Sequence, residues 1–253
     1  MRDPSSAPSD SAGAVGPGRY IELVNSKFGI YKKTSNTPIA KGTLNGLAGA
    51  SLSEDVFDPQ PSWDPTTKRF YYVMDDVVSA SQNLLAFGFS RTASPSSGGS
   101  ADWCKYYIDY GSTFPDYPKL GDTSGLALIG VNTFNSSNVY LGSDLISVTK
   151  PPSGTSCPLG SSLTLDSATD LKDATNNRIF APVPANQTDS SGTGYVVAIP
   201  NTLPAASLKL YQVTENPDGT MNLVHLQYRF RVVSYSSDHE ISNLRTFAFG
   251  KGA

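Results

Sequence analysis

Charge is scarce in this 253-residue chain: Asp, Glu, Lys and Arg make up 16% of it and the net charge is -3. No basic face or polybasic stretch is available to attract nucleic acid or a membrane surface. No run of 18 apolar residues occurs, so nothing in the sequence spans a bilayer as a helix. The N-terminal "MRDPSSAPSDSAG" has no apolar core and is not a signal peptide; residues 1–14 read as a flexible leader. Also missing are a GxSxG elbow, a Walker loop, HExxH, CxxC and a dinucleotide fingerprint, which removes the common signatures of those enzymes. There are two histidines. His225 sits in an alternating apolar run and reads as a strand residue, and His239 in "SSDHEIS" reads as part of a solvated loop.

Only two cysteines are present, Cys104 and Cys157. They fit no metal spacing and leave two readings open: one disulfide in an exported protein, or two separate small apolar side chains. A bridge would close a loop of roughly 50 residues, worth ~4 kcal/mol in the chain-entropy model.

What is abundant is turn and strand chemistry. Gly 22 and Pro 18 stand beside Tyr 13 and Phe 11, with many Ser, Thr and Asn, and this balance favours an all-β chain. Four segments share one layout, a polar turn, an apolar run, a loop and a second apolar run ending at Thr34, Thr92, Thr149 and Thr214. The first runs are Tyr20–Val24, Phe70–Val73, Leu126–Val131 and Ile179–Val183. Flanking pieces such as "PQPSW", "YPKL" and "WCKYYIDY" supply further strands, about four per unit. Such a repeat predicts a β-propeller of four-stranded antiparallel blades, with a β-sandwich as the rival. The blades fall at roughly 15–57, 58–114, 115–168 and 169–236, followed by a strand-like tail over 237–253.

"VGPGRYIELVNSKFGIYKK", "DPQPSWDPTTKRFYYV", "LLAFGFSRTASPSSGGSADWCKYYID" and "FPDYPKLG" resemble segments of secreted bacterial sialidase-like (BNR-type) propeller proteins of mostly unassigned activity. The resemblance implies a six- or seven-bladed ring, of which this chain holds about four blades, and an extracellular or periplasmic location. Sialidase chemistry needs three arginines on the substrate carboxylate, a Tyr–Glu nucleophile pair and an Asp acid/base. Arg19, Arg69, Arg178 and Arg245, with Glu54 or Glu215, supply the residue types. However, Arg19, Arg69 and Arg178 fall at equivalent turn positions, and the S-x-D-x-G-x-T-W box is absent, its nearest relative "ENPDGT" reading as a type I turn.

In a propeller, the loops entering the innermost strands and those joining the second and third strands form one rim of the channel. That places Asp58, Asp116 and Asp170, then Asp75 and Asp76, then Asn132, Asn135 and Asn186 at a mouth suited to Ca2+ or sugar hydroxyls; the competing reading is that these side chains cap turns. Asn135 and Asn186 also begin formal glycosylation sequons. The expectation is therefore a non-catalytic extracellular binding or scaffold module for a glycan or cell-surface polymer, with no nucleic-acid partner and Ca2+ the candidate ion. The alternative is a sialidase-type hydrolase. In "TFPDYPKLGD", aligned with "FDPQPSWD" on Pro118 and Pro61, the expectation is that Asp116 caps the corner.

Overall fold

Alternation along two strands decides the architecture. In β6 (Arg69–Ser79) Phe70, Tyr72 and Met74 point to one side and Tyr71 and Val73 to the other, and all are buried. The same holds in β10 (Leu126–Phe134), where Leu126 and Leu128 oppose Ala127, Ile129 and Val131. A strand buried on both faces lies in a sheet covered on both faces.

The computed structural model describes residues 8–152, 154, 156–189, 191–201 and 207–231. Among them are four antiparallel meanders of four strands each, the blades of a propeller. Blade 1 is β1 (Ala12–Val15), β2 (Arg19–Val24), β3 (Lys27–Lys32) and β4 (Pro38–Thr43), followed by the short helix α1 (Leu44–Ala48). Blade 2 is β5 (Asp55–Asp64), β6, β7 (Gln82–Ser90) and β8 (Trp103–Gly111). Blade 3 is β9 (Phe114–Asp122), β10, β11 (Tyr140–Thr149) and β12 (Leu165–Ala168). Blade 4 is β13 (Ile179–Pro184), β14 (Thr193–Pro200), β15 (Ser207–Glu215) and β16 (Met221–Arg231). The first strands lie against one another in the order β1, β5, β9, β13 and so face the axis.

The core is three layers between blades rather than one centre. The first joins Ile21, Leu23 and Ile30 of blade 1 and Leu44 and Leu47 of α1 to Phe70, Tyr72 and Trp103 of blade 2. The second sets Phe87 and Phe89 against Ile129 and Ile146, and the third sets Leu126 and Leu128 against Val196, Tyr211 and Val213. Each buried large side chain contributes about 1.5–3 kcal/mol, so the interfaces carry the stability. Gly130 permits the last interface to close, because a Cβ there would collide with the Pro182 carbonyl. On blade 4, Tyr195 and Ile199 alternate with the buried Val196 and Ala198 and are exposed.

Three expectations need correction. Strand β1 begins at Ala12, inside the stretch expected to be a leader, and the Asn25 amide already bonds Ser9 O. Ile179–Val183 lies in the first strand of blade 4, whereas Tyr20–Val24, Phe70–Val73 and Leu126–Val131 lie in second strands. Arg178, which precedes β13, is therefore not equivalent to Arg19 and Arg69, which open β2 and β6. Finally, Pro118 aligns with Pro59 and Pro182, not with Pro61, as the bulges described next show. The tail over 237–253, with His239 and Arg245, lies outside the described residues. His225 is in β16, its ring 5.0 Å from that of Tyr211.

Cys104 of β8 and Cys157, in the connection between β11 and β12, are bonded to each other, which ties blade 2 to blade 3.

Candidate functional site at the channel mouth

The first strands of blades 2, 3 and 4 each deviate at one point. β5 slips register between Phe57 and Gln60, β9 between Asp116 and Lys119, and β13 between Phe180 and Val183. At each slip one residue has positive φ and a proline follows: Asp58 (50°) before Pro59, Tyr117 (58°) before Pro118, Ala181 (51°) before Pro182. Asp10 (39°), just before β1, is the blade 1 counterpart. Such φ values cost roughly 1–2 kcal/mol in non-glycine residues, and proline is admitted because a bulge needs no donor there.

The bulge amide is met by a side chain of the preceding blade. Asn25 Oδ1 accepts from Asp58 N at 2.9 Å, and Asn132 Oδ1 accepts from Ala181 N at 2.8 Å. Asn132 of β10 pairs with Asp116, just before its own blade's bulge, and Asn25, one residue past the end of β2, bonds Ser9 O just before Asp10. The same position in blade 2, opposite Phe57, is Asp75. Here the solution changes. The Tyr117 amide lies beside the carboxylate and favours its charged form, yet neither Asp75 oxygen makes a hydrogen bond of normal geometry. Asp75 is completely buried.

Around it gather the bulge carboxylates. One oxygen each of Asp58, Asp75 and Asp116 lie within 4.8 Å of one another. Burial, then the charges of Asp58 and Asp116, push Asp75 well above the usual carboxylate range. Asp58 is raised by burial and by Asp10 and Asp116. Asp116 is also raised by burial, against the pull of the Tyr117 amide and Lys119. Among the described residues Lys119 is the cation acting on all of them, but its ammonium rests 3.2 Å from the centre of the exposed Tyr117 ring and forms no ion pair with these carboxylates. The Phe57 and Phe114 rings, 6.3 Å apart, belong to the same two strands. Three carboxylates so placed offer oxygen ligands that could hold a cation, beside an aromatic surface.

Other expected rim residues do not join. Asp76 follows Asp75 and so points to the opposite face of β6; it is buried, unpartnered, and pushed up to about 6 by burial and by Glu54. Asp170 follows β12, the outermost strand of blade 3, and is held by Arg178 (2.7 Å) and Lys172 (3.4 Å). Asn135 caps its own turn, accepting from Ser137 N and Val139 N, and Asn186 accepts from Ser62 Oγ. Asn132 is committed to the bulge clasp. The missed members are Asp10, which the leader assignment hid, and Lys119.

Among the described residues the candidate arginines Arg19, Arg69 and Arg178 do not converge on one point. Arg19 Nε donates to Pro95 O. The buried Arg69 donates to Ser90 O and Pro152 O and lies over the Phe89 ring, and Arg178 is paired with Asp170. "ENPDGT" is the β15–β16 hairpin turn, where Asp218 accepts from Thr220 N.

No protein-family model matches the chain, and no curated protein matches it. Its structure is similar to a Synechocystis apocarotenoid oxygenase mutant (13% identity, TM-score 0.48, 85% of this chain and 48% of that one). It is also similar to a GH43 endo-arabinanase from Bacillus licheniformis (13% identity, TM-score 0.41, 86% and 79%). A third similar structure is an exo-β-1,3-galactanase from Clostridium thermocellum (12% identity, TM-score 0.42, 90% and 51%). The chain spans about half the length of the first and the third.

Proposed function

We propose that this chain is a non-catalytic binding or scaffold module of a sialidase-like propeller, acting outside the cell on a glycan or other polyhydroxylated polymer through its channel mouth. The observation that carries the reading is the convergence of Asp58 and Asp116 from two successive blades on buried Asp75, with Asp10 of blade 1 against Asp58 and the exposed Tyr117 ring next in the chain to Asp116. Carboxylates, or a cation they hold, engage sugar hydroxyls, and an aromatic face stacks on a sugar ring. The Cys104–Cys157 bond suits an oxidising compartment. Clamping a sugar carboxylate for hydrolysis would need guanidiniums at one point, whereas Arg19, Arg69 and Arg178 are held by different partners.

A glycan array run in calcium and again in chelator, paired with a fluorogenic sialoside assay, tests this. Expected are binding to at least one glycan class, weakened by Tyr117→Ala, and no turnover. Silence across the array would remove the ligand class, and turnover above buffer would overturn the non-catalytic role.

A further inference from the structure

We propose that Asp58, Asp75 and Asp116 form a divalent-cation site of calcium type that ties blades 2 and 3 together at the channel mouth, with Asp10 bringing in blade 1. It deepens the reading of the mouth given above but does not depend on the ligand being a glycan.

The argument starts from the repeat. Asn25 and Asn132 show how this fold satisfies a bulge amide without a metal: a neutral amide oxygen accepts the N–H of the next blade. At the middle interface the amide is replaced by the Asp75 carboxylate, which is fully buried and lacks a normal hydrogen bond at either oxygen. A buried charge without a partner is costly, and more so beside other carboxylates. Asp58 and Asp116 present oxygens within 4.8 Å of one of its own, and Asp10 faces Asp58. Asn25 Nδ2 donates to Asp10 Oδ2 at 2.6 Å, which holds that carboxylate in place. Lys119 supplies one positive charge beside four carboxyl groups, and it is parked on Tyr117. Three carboxylate oxygens within 4.8 Å of one another can all reach a calcium ion at ~2.4 Å, and a cage built from protein carboxylates suits calcium better than magnesium, which gives up its waters reluctantly. All ligands are oxygens, which excludes a soft-metal preference.

The test is calorimetric titration of the whole chain with CaCl2, MgCl2 and MnCl2 after chelator treatment, with melting followed by circular dichroism. Expected are one calcium per chain, a rise in melting temperature with calcium, and weaker magnesium binding. Asp75→Asn restores the residue type used at the sibling interfaces. It should fold, melt at or above the metal-free wild type, and show neither heat nor shift with calcium. Asp116→Asn, which leaves the core untouched, should weaken calcium binding at least tenfold. Folded wild type that gives no heat and no melting shift overturns the site, as does an Asp75→Asn protein that titrates like wild type. Calcium binding with a silent glycan array would keep the site and remove the ligand class. Glycan binding that survives chelator and Asp75→Asn, with no calcium heat in wild type, would do the reverse.

Discussion

Lys150, just after β11, should prove the most costly single charge to remove. Its ammonium lies 2.6 Å from Asp122 Oδ2 at the end of β9 and 3.3 Å from Asp64 Oδ2 at the end of β5, and it also donates to Thr123 O. The three side chains are 2%, 9% and 3% exposed. At an effective dielectric of ~20 the two contacts amount to ~6 and ~5 kcal/mol. Burying three ions offsets most of that, so the intact cluster adds little net stability. Lys150→Met removes the attraction but leaves both carboxylates dry, and a loss of ~3–5 kcal/mol follows. The carboxylates are not equally stranded. Asp64 keeps bonds from Thr66 N, Thr67 N and Thr67 Oγ1, whereas Asp122 keeps Gln187 N among the bonds formed here. Adding Asp122→Asn, whose side-chain oxygen can still accept from Gln187 N, should therefore recover at least half the loss. Urea unfolding of wild type, the two single variants and the double variant closes the cycle. A Lys150→Met cost below ~1 kcal/mol, or a double variant no better than Lys150→Met alone, would refute the account of a buried cluster whose charges depend on one another.

Two further outcomes follow from the fold. Replacing Cys104 and Cys157 by Ala opens a bridge spanning 53 positions, so stability should fall by ~4 kcal/mol and the melting temperature by on the order of 10 °C; a melt unmoved by reductant, with both thiols shown to be labelled, contradicts this. Asp173 is held well below the usual carboxylate range: burial opposes this, but bonds from Lys209 (2.8 Å), Thr175 and Asn177 outweigh it. A depressed folded value contributes stability that is complete above the unfolded value near ~3.9 and is lost as pH falls through the folded one. The gap in melting temperature between wild type and Asp173→Asn should therefore be constant from pH 7 to about 5 and narrow steadily in more acid buffer; a gap independent of pH would sink the assignment.

How far the sequence reveals this molecule depends on which physical signal each part emits. β6 and β10 are legible because two-sided burial writes a continuous apolar run, "RFYYVM" and "LALIGV". The fourth copy misleads because Ile179–Val183, a first strand, is as apolar as a second strand; β14, which follows the polar loop over 185–192, is the true counterpart. Asp58 and Asp116 are visible as acids beside X-Pro steps, but choosing Asp75 over Asp76 requires knowing which face of β6 meets blade 3, and that is set by Tyr71 and Val73 packing there. Pro61 and Pro59 compete as anchors for the alignment, and only the register slip selects Pro59. Asp10 is hidden by composition: a Ser/Pro/Ala-rich stretch reads as leader although its bond partners lie 15 residues on.

The comparison of the three interfaces separates what serves the fold from what serves a site. Packing demands only that each bulge amide find an acceptor, and asparagine meets that demand at the first and third interfaces with no charge. A carboxylate in the same place gives a worse bond, is forced out of its ordinary protonation range, and stands beside two more acids. Nothing in the packing of Tyr71 or Val73 against Ile129 calls for it. A local rule met twice and broken once, at the position where side chains of several blades converge, is the pattern expected where a function is grafted onto a repeat. The proposed cation site therefore falls at the middle interface, the one place among the three where the packing rule is broken.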